Sequence, residues 1–185
     1  MKNRLFSALT LISAIVIFAG TGHAGSPQTG TPGVLKVAFN GDMPMTGQDA
    51  NGNLIGTDGS LMVLIAENLG LKVEPHLMEW SAEIQSTKQG KTDIMHGAMG
   101  WIESRTKIML LTDPIYYFGT AATMKKENNW TTFADMKGRC VSTVSGFTLV
   151  PELKSVEGIG EVKLYDTTDG ALRDLIAGRC DMALL

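Results

Sequence analysis

The amino-acid sequence predicts an α/β fold in which parallel sheets are flanked by helices and the chain is divided into two lobes. Short apolar runs of strand length alternate with helical patterns in the order β-α-β-α-β, and this order occurs twice along the chain. Before the third strand of each copy, residues 89–95 (QGKTDIM) resemble residues 177–183 (AGRCDMA). Because β-α-β units place parallel strands side by side through right-handed crossovers, the repeated order predicts two lobes of like topology.

The first lobe is predicted to extend over residues 34–118. Its elements are a strand over 34–39, a helix over 59–69, a strand over 71–78, a helix over 81–89 and a strand over 92–99. Asp58 is a candidate N-cap for the first helix. The apolar residues that recur at helical spacing in this helix are Leu61, Ile65 and Leu69.

The second lobe is predicted to extend over residues 119–185, and a hinge crossing at about residues 115–126 leads into it. The crossing is a long, strand-like run with few charges. The elements that follow are a short helix over 131–138, a strand over 139–144, a short helix over 147–153 that Pro151 breaks, a strand over 161–166, a helix over 169–177 and a strand over 180–185.

Residues 1–24 have the pattern of a secretory signal peptide. A basic start precedes an apolar run over residues 5–18, and the segment ends in Gly-His-Ala, a small-x-Ala cleavage pattern. The apolar run is shorter than the roughly 20 residues that span a bilayer, which disfavours the alternative of a membrane anchor. Residues 25–33 form a leader rich in Gly, Pro and Thr, and the mature protein is predicted to be exported.

The charge of the chain argues against a nucleic-acid partner. The sequence contains 16 Lys and Arg against 19 Asp and Glu, and two of the basic residues lie in the predicted signal peptide. Nucleic-acid binding needs a basic face, which this balance does not provide. The three histidines show no metal-ligand spacing and no dinucleotide-binding loop is complete, so neither a metal nor a cofactor is predicted.

Ligands of parallel α/β sheets bind beyond the carboxyl ends of the strands, and this rule selects five loops of the sequence. They are residues 40–46, 79–80 and 97–105 in the first lobe and residues 145–148 and 165–168 in the second. None of these loops places a nucleophile at a recognisable spacing from a base. We therefore expect these loops to bind a ligand and not to catalyse a reaction.

Arg105 is the main candidate for holding an anionic group. Its guanidinium is charged at any relevant pH, and its planar fork of donors suits a carboxylate or a phosphate. The alternative is a surface arginine paired with Glu103 or Asp113. Across the predicted cleft, Gly146 and Thr148 lie in a turn before a helix, where backbone N–H groups and a hydroxyl can complete an anion site or cap the helix.

Two tryptophans and one aspartate are further candidates for contact with the ligand. Trp80 and Trp101 flank the predicted cleft, where each can cover a flat or apolar part of a ligand or pack into the core of the lobe. Asp42 can meet a cationic group or serve as a turn residue. Met43 and Met45 can line the same pocket, although filling a core is the more ordinary role of methionine.

Several segments of the chain match one family in their order and spacing. They are NGNLIGTD, QGKTDIM, the block around Arg105 followed by LTDPIYY, FADMKGRCVSTVSG and LRDLIAGRCDMALL. From about Leu35 to Leu185 the sequence resembles the extracytoplasmic solute-binding proteins of family 3, which serve polar amino-acid ABC transporters. The resemblance implies a periplasmic-binding-protein type II fold and capture of an amino acid or similar small carboxylate. It also implies a periplasmic location, an ABC permease in the inner membrane as partner, and a monomer.

The resemblance further implies roles for single residues. Arg105 matches the arginine that clamps the α-carboxylate of the ligand. Trp80 falls on the aromatic residue that covers the ligand's side chain. Gly146 and Thr148 fall on the carboxylate-binding turn of the second lobe.

The sequence departs from the family pattern at several places. Ala98 and Gly100 stand where the family usually has hydroxyl or backbone contacts to the ligand, so hydroxyl donors are absent there. Asp42 lies in a segment that is usually richer in aromatic residues, and Phe147 replaces a small polar residue of the turn. The chain ends at Leu185, so we expect the second lobe and its return crossing to be incomplete, in a fragment or in a truncated gene product.

Cys140 and Cys180 are the two cysteines of the sequence, in a compartment predicted to be oxidising. Cys140 begins the first predicted strand of the second lobe and Cys180 begins the third. In this topology those strands are neighbours, so their starts lie close together. We expect a structural disulfide, and the alternative is a pair of free buried thiols.

Two alternatives to a binding protein remain open. Some relatives of this fold are periplasmic cyclohexadienyl or arogenate dehydratases that use the same cleft, although no placed acid or base of this sequence favours an enzyme. The chain can also be a truncated sensor or a remnant that binds nothing.

Overall fold

Helices pack against a three-stranded, a two-stranded and a four-stranded sheet in the computed structural model, which describes residues 27–185. The predicted signal peptide, residues 1–24, and the start of the predicted leader lie outside that range. Among the described residues, none of the helices combines the length and apolar character that crossing a membrane requires.

The first half of the chain builds the three-stranded sheet. Its elements are β1 (Val34–Phe39), β2 (Gly47–Gln48), β3 (Leu54–Ile55), α1 (Thr57–Asn68), β4 (Lys72–Leu77), α2 (Trp80–Lys88), β5 (Ile94–Met95) and α3 (Glu103–Thr106). β1 lies in the centre between β4 and β5, and the three strands are parallel. The core of this half consists of Leu35, Val37, Phe39, Leu54, Met62, Ala66 and Leu71.

The second half builds the four-stranded sheet. Its elements are β6 (Ala122–Met124), a 3-10 helix (Phe133–Met136), β7 (Cys140–Val144), α4 (Val150–Lys154), β8 (Glu161–Tyr165), α5 (Thr168–Ile176) and β9 (Met182–Leu184). The strand order is β6-β9-β7-β8, in which β7 is parallel to both neighbours and β6 is antiparallel to β9. The core of this half consists of Met136, Val141, Leu153, Met182 and Leu184.

The predicted α/β fold with parallel sheets is confirmed, and the sequence repeat has a structural basis. The Asp93 carboxylate accepts a hydrogen bond from the Lys36 N–H (2.8 Å), and the Asp93 N–H donates to the Lys36 carbonyl (2.9 Å). Asp181 makes the same two bonds to Cys140, at 2.8 and 2.9 Å. The matched aspartates thus tie β5 to β1 in the first sheet and β9 to β7 in the second. The division into lobes at residue 118 stays a prediction.

Helix α1 differs from its prediction at its start and in its buried face. Gly56 is the N-cap, and Asp58 lies in the first turn. The Asp58 carboxylate instead accepts hydrogen bonds from the Ala98 N–H (3.0 Å) and the Tyr116 hydroxyl (2.9 Å). The predicted apolar stripe faces outward, because the buried residues of α1 are Gly59, Met62 and Ala66, whereas Leu61, Ile65 and Leu69 are exposed.

Other element boundaries also differ from the prediction. Of the predicted crossing, only Ala122–Met124 forms a strand. The third strand of the first half ends at Met95, because the chain turns away at Gly97 and Ala98, whose φ angles are 136° and 54°. Pro151 lies at the start of α4, where its missing N–H has no helical acceptor to lose, so it begins the helix instead of breaking it.

A disulfide joins Cys140 to Cys180, as the sequence predicts. The two Cα atoms are 4.7 Å apart across a sequence separation of 40. Cys140 opens β7 and Cys180 lies just before β9, and these strands are parallel neighbours. The bridge therefore holds the amino ends of the strands together, at the edge of the sheet opposite the carboxyl ends.

Replacing both cysteines by serine is expected to lower the free energy of unfolding by about 4 kcal/mol, because the bridge closes a loop of about 40 residues in the unfolded chain. Urea unfolding of the wild type and of the double variant measures this difference. Dithiothreitol should bring the wild type to the stability of the variant and should leave the variant unchanged. Equal stability of the oxidised wild type and the variant would contradict the expectation.

Candidate functional site

A cleft of about 510 Å³ lies at the carboxyl ends of the parallel strands, between loops of the two sheets. Its walls are formed by Asn40, Gly41, Asp42, Met43, Met45, Trp80, Gly97, Ala98, Gly100, Arg105, Phe118, Gly119, Thr120, Phe147, Thr148, Leu149, Thr168, Asp169, Leu172 and Leu185. The predicted ligand-binding residues among them are Asp42, Trp80, Ala98, Gly100, Arg105 and Thr148. Each of the five loops that the topological rule selects therefore contributes to this one cleft.

Arg105 lies on the cleft wall and is almost completely buried, with 7% of its surface exposed. Its Nη1 donates to the Gly100 carbonyl at 2.8 Å, and its Nη2 donates to the Gly146 carbonyl at 3.0 Å. Burial lowers the pKa of Arg105, but a guanidinium titrates so far above neutrality that it keeps its charge. Glu103, its partner in the surface alternative, pairs with Lys107 instead, at 3.1 Å.

The guanidinium of Arg105 has donors left for a ligand. It carries five N–H donors, and acceptors among the described residues occupy two of them. Its central carbon lies 5.8 Å from the centroid of the Trp80 ring, within the range of a cation–π contact. A carboxylate in the cleft would therefore meet a desolvated cation that two carbonyls and a ring hold in place.

Trp80 begins α2 and lies between the two halves of the protein. The residue is 3% exposed, and its ring makes an edge-to-face contact with Phe147, with the centroids 6.0 Å apart. The indole Nε1 donates to the Gly146 carbonyl at 3.4 Å. Trp80 is thus both a packed side chain and a wall of the cleft. Trp101 is 57% exposed and lies outside the cleft lining, so the structure does not bring it to the site.

Asp42 connects the first half to the second half at the cleft. Its Oδ2 accepts hydrogen bonds from Asn40 Nδ2 (2.7 Å) and from the Thr168 hydroxyl at the start of α5 (3.1 Å). Its backbone carbonyl also accepts from the N–H groups of Met45 and Thr46, so Asp42 is a turn residue as well. Partial burial raises the pKa of Asp42, and the two side-chain hydrogen bonds oppose that rise.

Ala98 and Gly100 contribute backbone to the site. Ala98 adopts a φ of 54°, and its N–H is held by the Asp58 carboxylate. Gly100 supplies the first-half carbonyl that orients Arg105. Neither residue has a side-chain hydroxyl, as the sequence indicates. The side-chain donor beside them on this wall of the cleft is the Arg105 guanidinium.

The turn after β7 supplies the facing wall. The N–H groups of Ser145 and Phe147 donate to carbonyls of Tyr165 and Val144 within the second half. The N–H groups of Gly146 and Thr148 have no acceptor among the described residues. These two N–H groups and the Thr148 hydroxyl are therefore the donors that this turn can offer to an anion.

Glu83 is a buried acid that the sequence reasoning missed. It lies on α2, is fully buried, and neither carboxyl oxygen has a hydrogen-bond partner among the described residues. Burial and the charge of Asp42 raise the pKa of Glu83 to about 9, so its carboxyl is neutral at pH 7. Its position three residues after Trp80 places both side chains on one face of the helix, which is the signal that could have found it.

Other residues that line the cleft were also not predicted from the sequence. Phe118, Thr120 and Leu172 line the cleft, as does Leu185. Phe118 and Thr120 belong to the crossing, Leu172 belongs to α5, and Leu185 is the last described residue. None of the four lies in the five loops selected from the sequence. Their positions depend on how the two halves meet, which sequence patterns within one half do not encode.

The sequence matches the family model of the bacterial extracellular solute-binding proteins, family 3, over residues 35–182. It is 27% identical over 184 residues to the probable amino-acid-binding protein YxeM of Bacillus subtilis, covering 98% of this chain and 70% of that protein. It is 32% identical over 143 residues to a probable amino-acid ABC transporter-binding protein of Haemophilus influenzae, covering 75% of this chain and 55% of that protein.

The fold is similar to the solved structure of an ancestral arginine-binding protein bound to glutamine. The TM-score is 0.78 at 32% sequence identity, and the similarity covers 84% of this chain and 70% of that one. This chain thus spans between 55% and 70% of the length of these three relatives.

Replacing Glu83 by Gln is expected to make the protein increasingly more stable than the wild type as the pH rises from 5 to 8. In the folded state Glu83 keeps its proton up to a pKa of about 9, whereas in the unfolded chain it ionises at its ordinary value of 4.5. The free energy of unfolding of the wild type therefore falls as the pH rises from the lower to the higher of these pKa values, by up to about 1.4 kcal/mol per pH unit.

Urea unfolding at pH 5, 6, 7 and 8 measures this difference between the two proteins. The exposed Glu67 on α1 provides the matched control, since Glu67→Gln should follow the wild type at every pH. Parallel stability curves for Glu83→Gln and the wild type would show that Glu83 ionises in the folded protein at its ordinary pKa.

Proposed function

The chain belongs to the bacterial extracellular solute-binding proteins of family 3, and we propose that it captures an amino acid or similar small carboxylate for an ABC importer. The observation that carries the proposal is the buried guanidinium of Arg105 on the cleft wall, with donors left over after its two carbonyl contacts. Such a group binds a carboxylate with little loss of side-chain entropy, because its position is already fixed.

The remaining groups of the cleft suit the rest of an amino acid. Thr148 lies on the cleft wall, and its N–H and that of nearby Gly146, which have no acceptor among the described residues, provide further donors for the carboxylate. Asp42 provides an anionic acceptor for an ammonium group. Trp80 and Phe147 provide aromatic surface for the ligand's side chain.

The relatives support this ligand class. One is named an amino-acid-binding protein, another a transporter-binding protein, and the ancestral protein is described as arginine-binding and bound to glutamine. The predicted signal peptide and the family together support a periplasmic location, an ABC permease in the inner membrane as partner, and action as a monomer. The cleft groups named above bind and orient, so the function we propose is binding without catalysis.

Arg105→Ala is expected to weaken binding of the preferred amino acid by at least about 100-fold, because the ligand's carboxylate then lies in a dry site without its cation. Isothermal titration with a panel of L-amino acids that includes L-arginine and L-glutamine identifies the ligand first. The same titration then compares the variant with the wild type.

The exposed Lys107 follows α3 directly and provides a matched control, since Lys107→Ala removes a nearby cation outside the cleft lining. Its affinity should equal that of the wild type. Circular dichroism checks that Arg105→Ala is folded, and Arg105→Lys, which keeps the charge but not the fork, should bind with intermediate affinity. Binding that is indifferent to Arg105→Ala would refute the proposal.

A further inference from the structure

The turn after β7 contacts the first half of the protein through two successive carbonyls. The Ser145 carbonyl accepts a hydrogen bond from the Ser81 hydroxyl at 3.2 Å. The Gly146 carbonyl accepts from Trp80 Nε1 at 3.4 Å and from Arg105 Nη2 at 3.0 Å. Three side chains of the first half therefore converge on one peptide segment of the second half.

The backbone of Gly146 makes this approach possible. Its φ angle is 85°, in the left-handed region that favours glycine. A Cβ atom at this position would lie 3.2 Å from Trp80 Cδ1 and 3.4 Å from Ser81 Oγ. A larger residue would therefore be strained in its backbone and would push the turn away from α2.

Arg105 joins the two halves through a single rigid group. Nη1 bonds to Gly100 in the first half and Nη2 bonds to Gly146 in the second half. Because the guanidinium is planar, the two carbonyls together fix its orientation. If the second half moves away, Nη2 loses its acceptor, and the fork is then held from one side only.

We propose that Gly146 is a positioning residue, whose carbonyl couples closure of the two halves to the orientation of the carboxylate clamp at Arg105. The proposal rests on the binding function proposed above. Since coupling between two equilibria is reciprocal, a closed cleft presents Arg105 in its binding orientation, and a carboxylate on Arg105 stabilises the closed cleft. Ser81 supports the same contact from the neighbouring carbonyl.

The experiment measures closure and binding separately. Spin labels are placed at the exposed positions Lys88, on α2, and Lys154, on α4, each replaced by Cys, and distances between them are measured without added ligand. Gly146→Ala should shift the distribution to longer distances. It should also weaken binding of L-arginine or L-glutamine, whichever binds the wild type more tightly, by about tenfold or more.

Gly138→Ala is the matched control. Gly138 has a similar φ of 71°, but a Cβ there would meet nothing within 4 Å. This variant should carry the same backbone strain and keep the wild-type distances and affinity. Ser81→Ala, an exposed and mild change, tests the contact without backbone strain and should shift both readouts in the same direction as Gly146→Ala, by a smaller amount.

The outcomes separate the two proposals. Wild-type distances in both Gly146→Ala and Ser81→Ala would overturn the closure contact. Longer distances with unchanged affinity would overturn its coupling to Arg105. If the wild type binds none of the amino acids in the panel, the proposed function fails, whereas the distance measurement still decides whether the Gly146 contact closes the cleft.

Discussion

Burying the guanidinium of Arg105 is the constraint on which the site depends. An arginine keeps its charge, so a buried one must receive hydrogen-bond acceptors from the fold around it. The first half supplies the Gly100 carbonyl and the second half supplies the Gly146 carbonyl. Neither half alone satisfies the guanidinium as the whole chain does. The cleft is therefore a property of how the two halves meet, and Trp80, which donates to the same Gly146 carbonyl, belongs to that meeting surface.

The two sheets beneath this surface share one pattern of hydrogen bonds. In each half, an aspartate just before a parallel strand (β5 or β9) accepts a hydrogen bond from the neighbouring strand (β1 or β7), and its N–H donates one back. These are Asp93 to Lys36 and Asp181 to Cys140. The parallel strands end together, and the loops that follow them meet across the cleft. In the second half the disulfide joins the amino ends of β7 and β9, and the turn at residues 145–148 follows the opposite, carboxyl end of β7.

The sequence predicts those features that rest on local patterns. The alternation of strands and helices, the junction repeat, the disulfide and the position of Arg105 all follow from residue spacing and from the topology of parallel sheets. The sequence does not predict features that depend on contacts between distant segments. Asp58 is a plausible helix cap by its neighbours, but Ala98 and Tyr116 occupy its carboxylate. The spacing of Glu83 from Trp80 places both on one face of α2, but the spacing does not show that the Glu83 carboxyl is buried without a partner among the described residues.

The role of Arg105 is tested most directly by a crystal structure of the protein grown with the amino acid that binds it most tightly. We expect the ligand to lie in the cleft with its carboxylate oxygens about 3 Å from nitrogen atoms of the Arg105 guanidinium. We also expect the Gly146 carbonyl to remain bonded to Nη2 in that complex. A ligand carboxylate held away from Arg105, or a ligand bound outside this cleft, would show that Arg105 is not the carboxylate clamp of this protein.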